Sequence, residues 1–102
     1  MQHLSRIEAR ERAERAARLL SEHPNVRLVY LFGSAARSGP EGLVRDIDLA
    51  VLTQPALAHQ ELLALRAELT HATGEALDLV SLNDAPIVLA RVKTHLLLKD
   101  AR

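Results

Sequence analysis

The chain has 102 residues, room for one domain (residues 1–102) with a single core. Its 13 basic and 13 acidic side chains cancel, so no global field draws it to nucleic acid or to an anionic membrane. It carries no cysteine, which excludes disulfides and thiolate metal sites. Apolar residues make up 48% of the chain and aromatics only 2%, so the core must be aliphatic. No apolar stretch approaches the roughly 20 residues of a membrane span. Met1 to Arg18 is charged and helical in pattern, unlike a signal peptide. Together these features fit a cytoplasmic protein that binds neither membrane nor, strongly, nucleic acid.

Ser5 to Glu22 reads as an exposed amphipathic helix. Glu8/Arg12, Glu11/Arg15 and Glu14/Arg18 are spaced i,i+4 with the acid first, the more favourable orientation. Ile7, Ala13, Ala16, Ala17 and Leu20 are its expected buried stripe, and Ser5 with Glu8 resembles a capping box. Pro24-Asn25 breaks the helix. Val26 to Phe32 is nearly continuous in apolarity, as in a strand buried on both faces. Gly33-Ser34 turns the chain, Ala35 to Arg37 begins a short helix, and residues 38–42 form a loop by composition. Asp46 to Thr53 is the second strand. Side chains alternate along it, so Asp46, Asp48 and Ala50 share one face and Ile47, Leu49 and Val51 the other.

Ala58 to Thr73 is a second long helix with Leu62, Leu65 and Leu69 on one stripe and Gly74 as its stop. Ala76 to Leu82 is the third strand, with Asp78 and Val80 facing away from Leu77 and Leu79. Asn83-Asp84 before Pro86 looks like a cap for a last helix over residues 86–99. The order α-β-β-α-β-α predicts an α/β (α+β) domain: a small mixed sheet of three strands or slightly more, packed with helices.

The acids carry the chemistry. Carboxylates at i and i+2 on one strand face repel, and burial adds to the cost of keeping them charged. A hard divalent cation removes the conflict, because oxygen ligands suit Mg²⁺, which completes its shell with substrate phosphates. Asp78 on a neighbouring strand would permit a second ion about 3.5–4 Å from the first. The Gly33-Ser34 turn after a buried strand lets a phosphate approach the backbone, and N–H groups at a helix start attract anions. Arg37 is within reach of phosphate oxygens. Each piece has a plainer explanation: a solvated strand face for Asp46 and Asp48, an ordinary turn for Gly33-Ser34, a surface arginine for Arg37. For Asp78 the plainer explanation is a structural ion pair with an arginine, or a place on an edge strand.

Other chemistries find no support. The chain lacks a G-x-x-x-x-G-K-[ST] phosphate loop, a G-x-G-x-x-G turn and a G-x-S-x-G elbow. His3, His23, His59, His71 and His95 are scattered without zinc spacing.

Gly33-Ser34-Ala35-Ala36-Arg37, then Asp46-Ile47-Asp48-Leu49-Ala50-Val51, then Asp78 in a strand, resembles the polymerase-beta-like nucleotidyltransferase superfamily. Size and motif detail are most similar to its minimal nucleotidyltransferase (MNT) branch. The resemblance runs from the Val26 strand to the last predicted helix. It implies that Gly33, Ser34 and Arg37 bind the nucleotide, that Asp46, Asp48 and Asp78 are the catalytic residues and bind two Mg²⁺ ions, and that ATP is the substrate. The chain departs from the usual Gly-Ser-x-Ala-Arg-Gly pattern, with Ser38 where the last glycine stands and Gly39 one place later. Arg45 replaces the serine that commonly precedes the acids.

Minimal members of the branch are often antitoxins paired with a HEPN ribonuclease toxin. They resemble enzymes that move AMP from ATP to a hydroxyl of that protein. The resemblance therefore implies a Mg²⁺-dependent protein adenylyltransferase with a nucleoside triphosphate and a HEPN-family protein as partners. The alternative is a non-catalytic module that neutralises its toxin by occlusion. Leu96-Leu97-Leu98 motivates it, because three consecutive leucines cannot all point into one narrow stripe.

Overall fold

The apolar run after Pro24 becomes the strand around which the domain is built. The computed structural model describes residues 4–33, 43–44, 47–83 and 95–100. In chain order these form β1 (Leu4–Ser5), α1 (Arg6–Ser21), β2 (Val26–Phe32), β3 (Leu43–Val44), β4 (Ile47–Thr53), α2 (His59–Thr73), β5 (Leu77–Ser81) and β6 (His95–Asp100). Four strands make one sheet in the order β5-β4-β2-β6, and β1 pairs separately with β3. β2 runs antiparallel to both neighbours, whereas β4 and β5 are parallel. A tight hairpin cannot join parallel neighbours, and α2 provides the crossover. This is the expected mixed α+β architecture.

Both helices serve one face of the sheet. Val29 and Leu31 of β2, Ile47, Leu49 and Val51 of β4, and Leu77 and Leu79 of β5 join Ala9, Ala13, Ala16, Ala17 and Leu20 of α1 and Leu69 of α2 in the core. Leu62, Leu65 and Leu98 pack against it. Because side chains alternate along a strand, Phe32, Asp48, Ala50 and Asp78 lie on the opposite face.

Helix α1 starts as its sequence indicates. The Glu8 N–H donates to Ser5 Oγ (3.1 Å) and the Ser5 N–H donates back to Glu8 Oε1 (3.2 Å), a reciprocal capping box. Its buried stripe differs from expectation at one position: Ala9 is buried and Ile7 is 59% exposed. At about 100° per residue, Ile7 lies roughly 160° around the helix from Ala9. The stripe of four alanines lets α1 lie close on the sheet. Arg12, expected to pair with Glu8, has its Nε 3.7 Å from Glu75 Oε1, linking α1 to the turn before β5. Helix α2 begins with the Ala58 N–H donating to Glu61 Oε1 (3.1 Å) and ends at Gly74, whose φ of 73° is the left-handed conformation that stops a helix.

The last expected element requires correction. Residues 95–99, placed in a helix by their sequence pattern, belong to strand β6, which pairs Phe32 with His95, Leu31 with Leu96 and Tyr30 with Leu97. Residues 86–94 lie outside the described residues. A short leucine run is compatible with either periodicity. What decides is the open backbone edge of β2, whose N–H and C=O groups need a second neighbour beside β4. Strand alternation then explains the leucines: Leu98 packs on the core while Leu97 is 44% exposed.

Asn83 was expected as a helix cap with Asp84, which lies outside the described residues. Its side chain ties β5 to β4. Oδ1 accepts from the Thr53 N–H (3.0 Å) and Thr53 Oγ1 (3.2 Å), and Nδ2 donates to the Thr53 carbonyl (2.7 Å). Among the described residues no helix is long and apolar enough to cross a membrane.

Candidate functional site

The site is assembled from the ends of three strands. β2 ends at Gly33, whose φ of +75° is a conformation that L side chains rarely adopt. Space imposes the same choice of residue: a Cβ on Gly33 would lie 2.8 Å from Asp48 Oδ2. The glycine thus lets the chain turn away from the sheet directly over the Asp48 carboxylate. Asp48 is half-buried on β4, opposite Phe32 of β2 on one side and Asp78 of β5 on the other.

The Asp48–Asp78 register is the central geometric fact. In-register residues of adjacent strands point to the same face, and neighbouring strands are about 4.8 Å apart. The two carboxylates therefore stand side by side on the face away from α1 and α2. Both are flanked by buried residues, Ile47 and Leu49 for Asp48 and Leu77 and Leu79 for Asp78, so neither strand can shift by one residue without turning its apolar set to the wrong face.

Asp78 sits on the edge strand, and its side chain is 53% exposed. It pairs with an arginine: Arg66 Nη2 of α2 is 3.0 Å from Asp78 Oδ1, while Arg66 Nε donates to the Leu77 carbonyl at 2.8 Å. The sequence raised the idea of an arginine partner without indicating which one. Arg66 is twelve positions from Asp78 along the chain, and its placement depends on how α2 crosses the sheet edge. Of the remaining candidates, Ser34, Arg37 and Asp46 lie outside the described residues. Two concavities lie elsewhere and include neither acid: a groove of about 490 Å³ between α1 and β6, and a slot of about 190 Å³ between α1 and α2.

Residues 14–98 of this chain match the polymerase beta nucleotidyltransferase family. The chain belongs to it. No curated protein matches the chain. Among solved structures, this nucleotidyltransferase domain is similar to the complex of a tri-AMPylated Shewanella oneidensis HEPN toxin with its MNT antitoxin. The identity is 28% and the TM-score 0.70, over 90% of this chain and 72% of that one. A MntA–HepT toxin–antitoxin structure is also 28% identical, with a TM-score of 0.69 over 89% of this chain and 72% of the other. A toxin–antitoxin structure with AMP-PNP is 29% identical, with a TM-score of 0.69 over 87% and 74%.

The donor chemistry at the site fits a hard divalent cation. Asp48 and Asp78 offer carboxylate oxygens alone, which suit Mg²⁺ better than softer metals. The missing Cβ at Gly33 spares Asp48 Oδ2 a contact of 2.8 Å. Arg66 shows that Asp78 already takes a cation as its partner.

Proposed function

We propose that this domain is a Mg²⁺-dependent nucleotidyltransferase that moves AMP from ATP to a hydroxyl on a HEPN-type toxin, acting as its antitoxin in the cytoplasm. The in-register pair Asp48–Asp78 beside the Gly33 bend carries the reading. Membership of the nucleotidyltransferase family supports the reaction class. The likeness to MNT antitoxins in complex with HEPN toxins, one toxin being AMPylated, supports the acceptor.

In this reading Gly33 lets the triphosphate approach the backbone, and Ser34 and Arg37 contribute donors to its oxygens. Asp46, Asp48 and Asp78 hold Mg²⁺, which when bound neutralises the phosphates and makes the acceptor hydroxyl more acidic. The acceptor oxygen attacks the α-phosphorus, a new P–O ester bond forms, and the bond to pyrophosphate breaks. Asp78, the more exposed acid, receives the hydroxyl proton. Incubation with radiolabelled ATP, Mg²⁺ and the HEPN partner should label the partner. The Asp48→Asn variant should fold normally and give no label. Equal labelling by both proteins overturns the mechanism.

Exposed Leu97 on edge strand β6 favours a second reading, neutralisation by occlusion. If an Asp46/Asp48/Asp78 triple variant still silences a co-expressed toxin in full, occlusion replaces transfer.

A further inference from the structure

Arg66 has no part in the reaction as set out above, yet it is fixed at two points beside the acids. Its Nε donates to the Leu77 carbonyl at 2.8 Å, and its Nη2 lies 3.0 Å from Asp78 Oδ1. The first contact uses the main chain of β5, so the guanidinium is located by the strand itself. The planar fork of arginine makes both contacts possible from one group. Ordering a long side chain that is 48% exposed costs rotamer entropy, and an exposed ion pair by itself returns little. The hydrogen bond to Leu77 supplies the anchor that such surface pairs lack.

We infer that Arg66 is a positioning residue that stands in for the divalent cation before loading: it balances the Asp48–Asp78 charge and orients the Asp78 carboxylate across the sheet edge. This rests on the proposed cation role of the acid pair. The argument is electrostatic. Two carboxylates in register on adjacent strands, whose backbones run about 4.8 Å apart, repel, and the guanidinium beside one of them relieves that repulsion. The same positive charge opposes an incoming cation. Arg66 therefore has two separable effects, set by its charge and by its shape. Removing the charge strengthens cation binding, and removing only the fork leaves binding alone while loosening Asp78.

Mn²⁺ binding to the full chain, followed by electron paramagnetic resonance without nucleotide, separates these effects. Arg66→Gln should bind Mn²⁺ about ten- to twentyfold more tightly than wild type, the size of one unit charge acting on a divalent ion across roughly 5 Å of a water-like medium. Arg66→Lys keeps the charge and should bind as wild type does. With ATP and the toxin present, both variants should lose turnover with little change in the KM for ATP. An arginine that served only the fold would change Mn²⁺ affinity through its charge but leave the folded Arg66→Lys variant turning over at the wild-type rate. Unchanged or weaker binding by Arg66→Gln, with Asp48→Asn abolishing binding in the same assay, overturns the role of Arg66 and leaves the proposed function standing. If wild type binds no Mn²⁺, or Asp48→Asn binds like wild type, the acid pair is not a cation site and both readings fall.

Discussion

Replacing Gly33 with alanine tests the site and the fold together. Two consequences follow from separate features of the structure. The backbone at Gly33 is left-handed, with φ of +75°, and holding alanine there costs about 1–2 kcal/mol. The new Cβ would also sit 2.8 Å from Asp48 Oδ2. That oxygen ends a short, rotatable side chain, so the clash is relieved by swinging Asp48 aside at small cost in stability. For a domain of about 100 residues each kcal/mol lowers Tm by roughly 4–8 °C, so Gly33→Ala should melt roughly 5–15 °C below wild type. Asp48, however, no longer occupies its place beside Asp78, and AMP transfer should be lost at temperatures where the variant is fully folded. Thermal melts by circular dichroism and labelling from ATP give the two readings. The Gly33→Ala cost should be nearly the same in an Asp48→Ala background, because the backbone strain remains after the clash is gone. A variant that melts with wild type refutes the left-handed conformation. One that is destabilised yet transfers AMP at the wild-type rate refutes the placement of Asp48 at the reacting centre.

Two further perturbations probe how the strands and the first helix are held. Asn83→Ala strips Thr53, which is 2% exposed, of the acceptor for its N–H and hydroxyl and of a donor to its carbonyl, leaving the hydroxyl only the Leu57 N–H. Leaving buried polar groups unpaired should cost about 1–3 kcal/mol in urea unfolding, and a midpoint equal to wild type would show that the link between β5 and β4 is idle. At the N-terminus of α1, hydrogen bonds from the Ser5 backbone and then its side chain hold the Glu8 carboxyl below its ordinary value of 4.5. A carboxyl lowered on folding stabilises the protein above its unfolded-state pKa and loses that contribution as pH falls through the folded-state pKa. The stability gap between wild type and Glu8→Ala should therefore be widest near neutral pH and narrow progressively below 4.5. A gap that stays constant with pH would mean that the ionised carboxylate does not contribute.

Local chemistry made much of this domain legible in advance. Ser5 with Glu8 marked the start of α1, and Gly74 the end of α2, because caps are set by residues within a few positions of one another. Alternation in Ile47–Thr53 and Leu77–Ser81 placed Asp48 and Asp78 on faces opposite their buried neighbours. Ile7 was misplaced despite a signal in the sequence, since its angle on the helix already separates it from the alanine stripe. For Leu96-Leu97-Leu98 there was no such signal, because a short apolar run carries no period of its own.

The sequence by itself determined the element types over β2, β4, β5 and both helices, the alternation that turns Asp48 and Asp78 away from the core, and the family resemblance. These depend on side-chain periodicity and on residues close along the chain. Only the tertiary structure decided that Asp48 and Asp78 are in register on parallel neighbours, that the Asp48 carboxylate lies against Gly33, that Arg66 is the partner of Asp78, and that residues 95–100 complete the sheet. The physical reason is common to all four. Each joins groups far apart in sequence, and each is fixed by burying one shared apolar face while satisfying the backbone hydrogen bonds along every strand edge, a condition that belongs to the whole sheet.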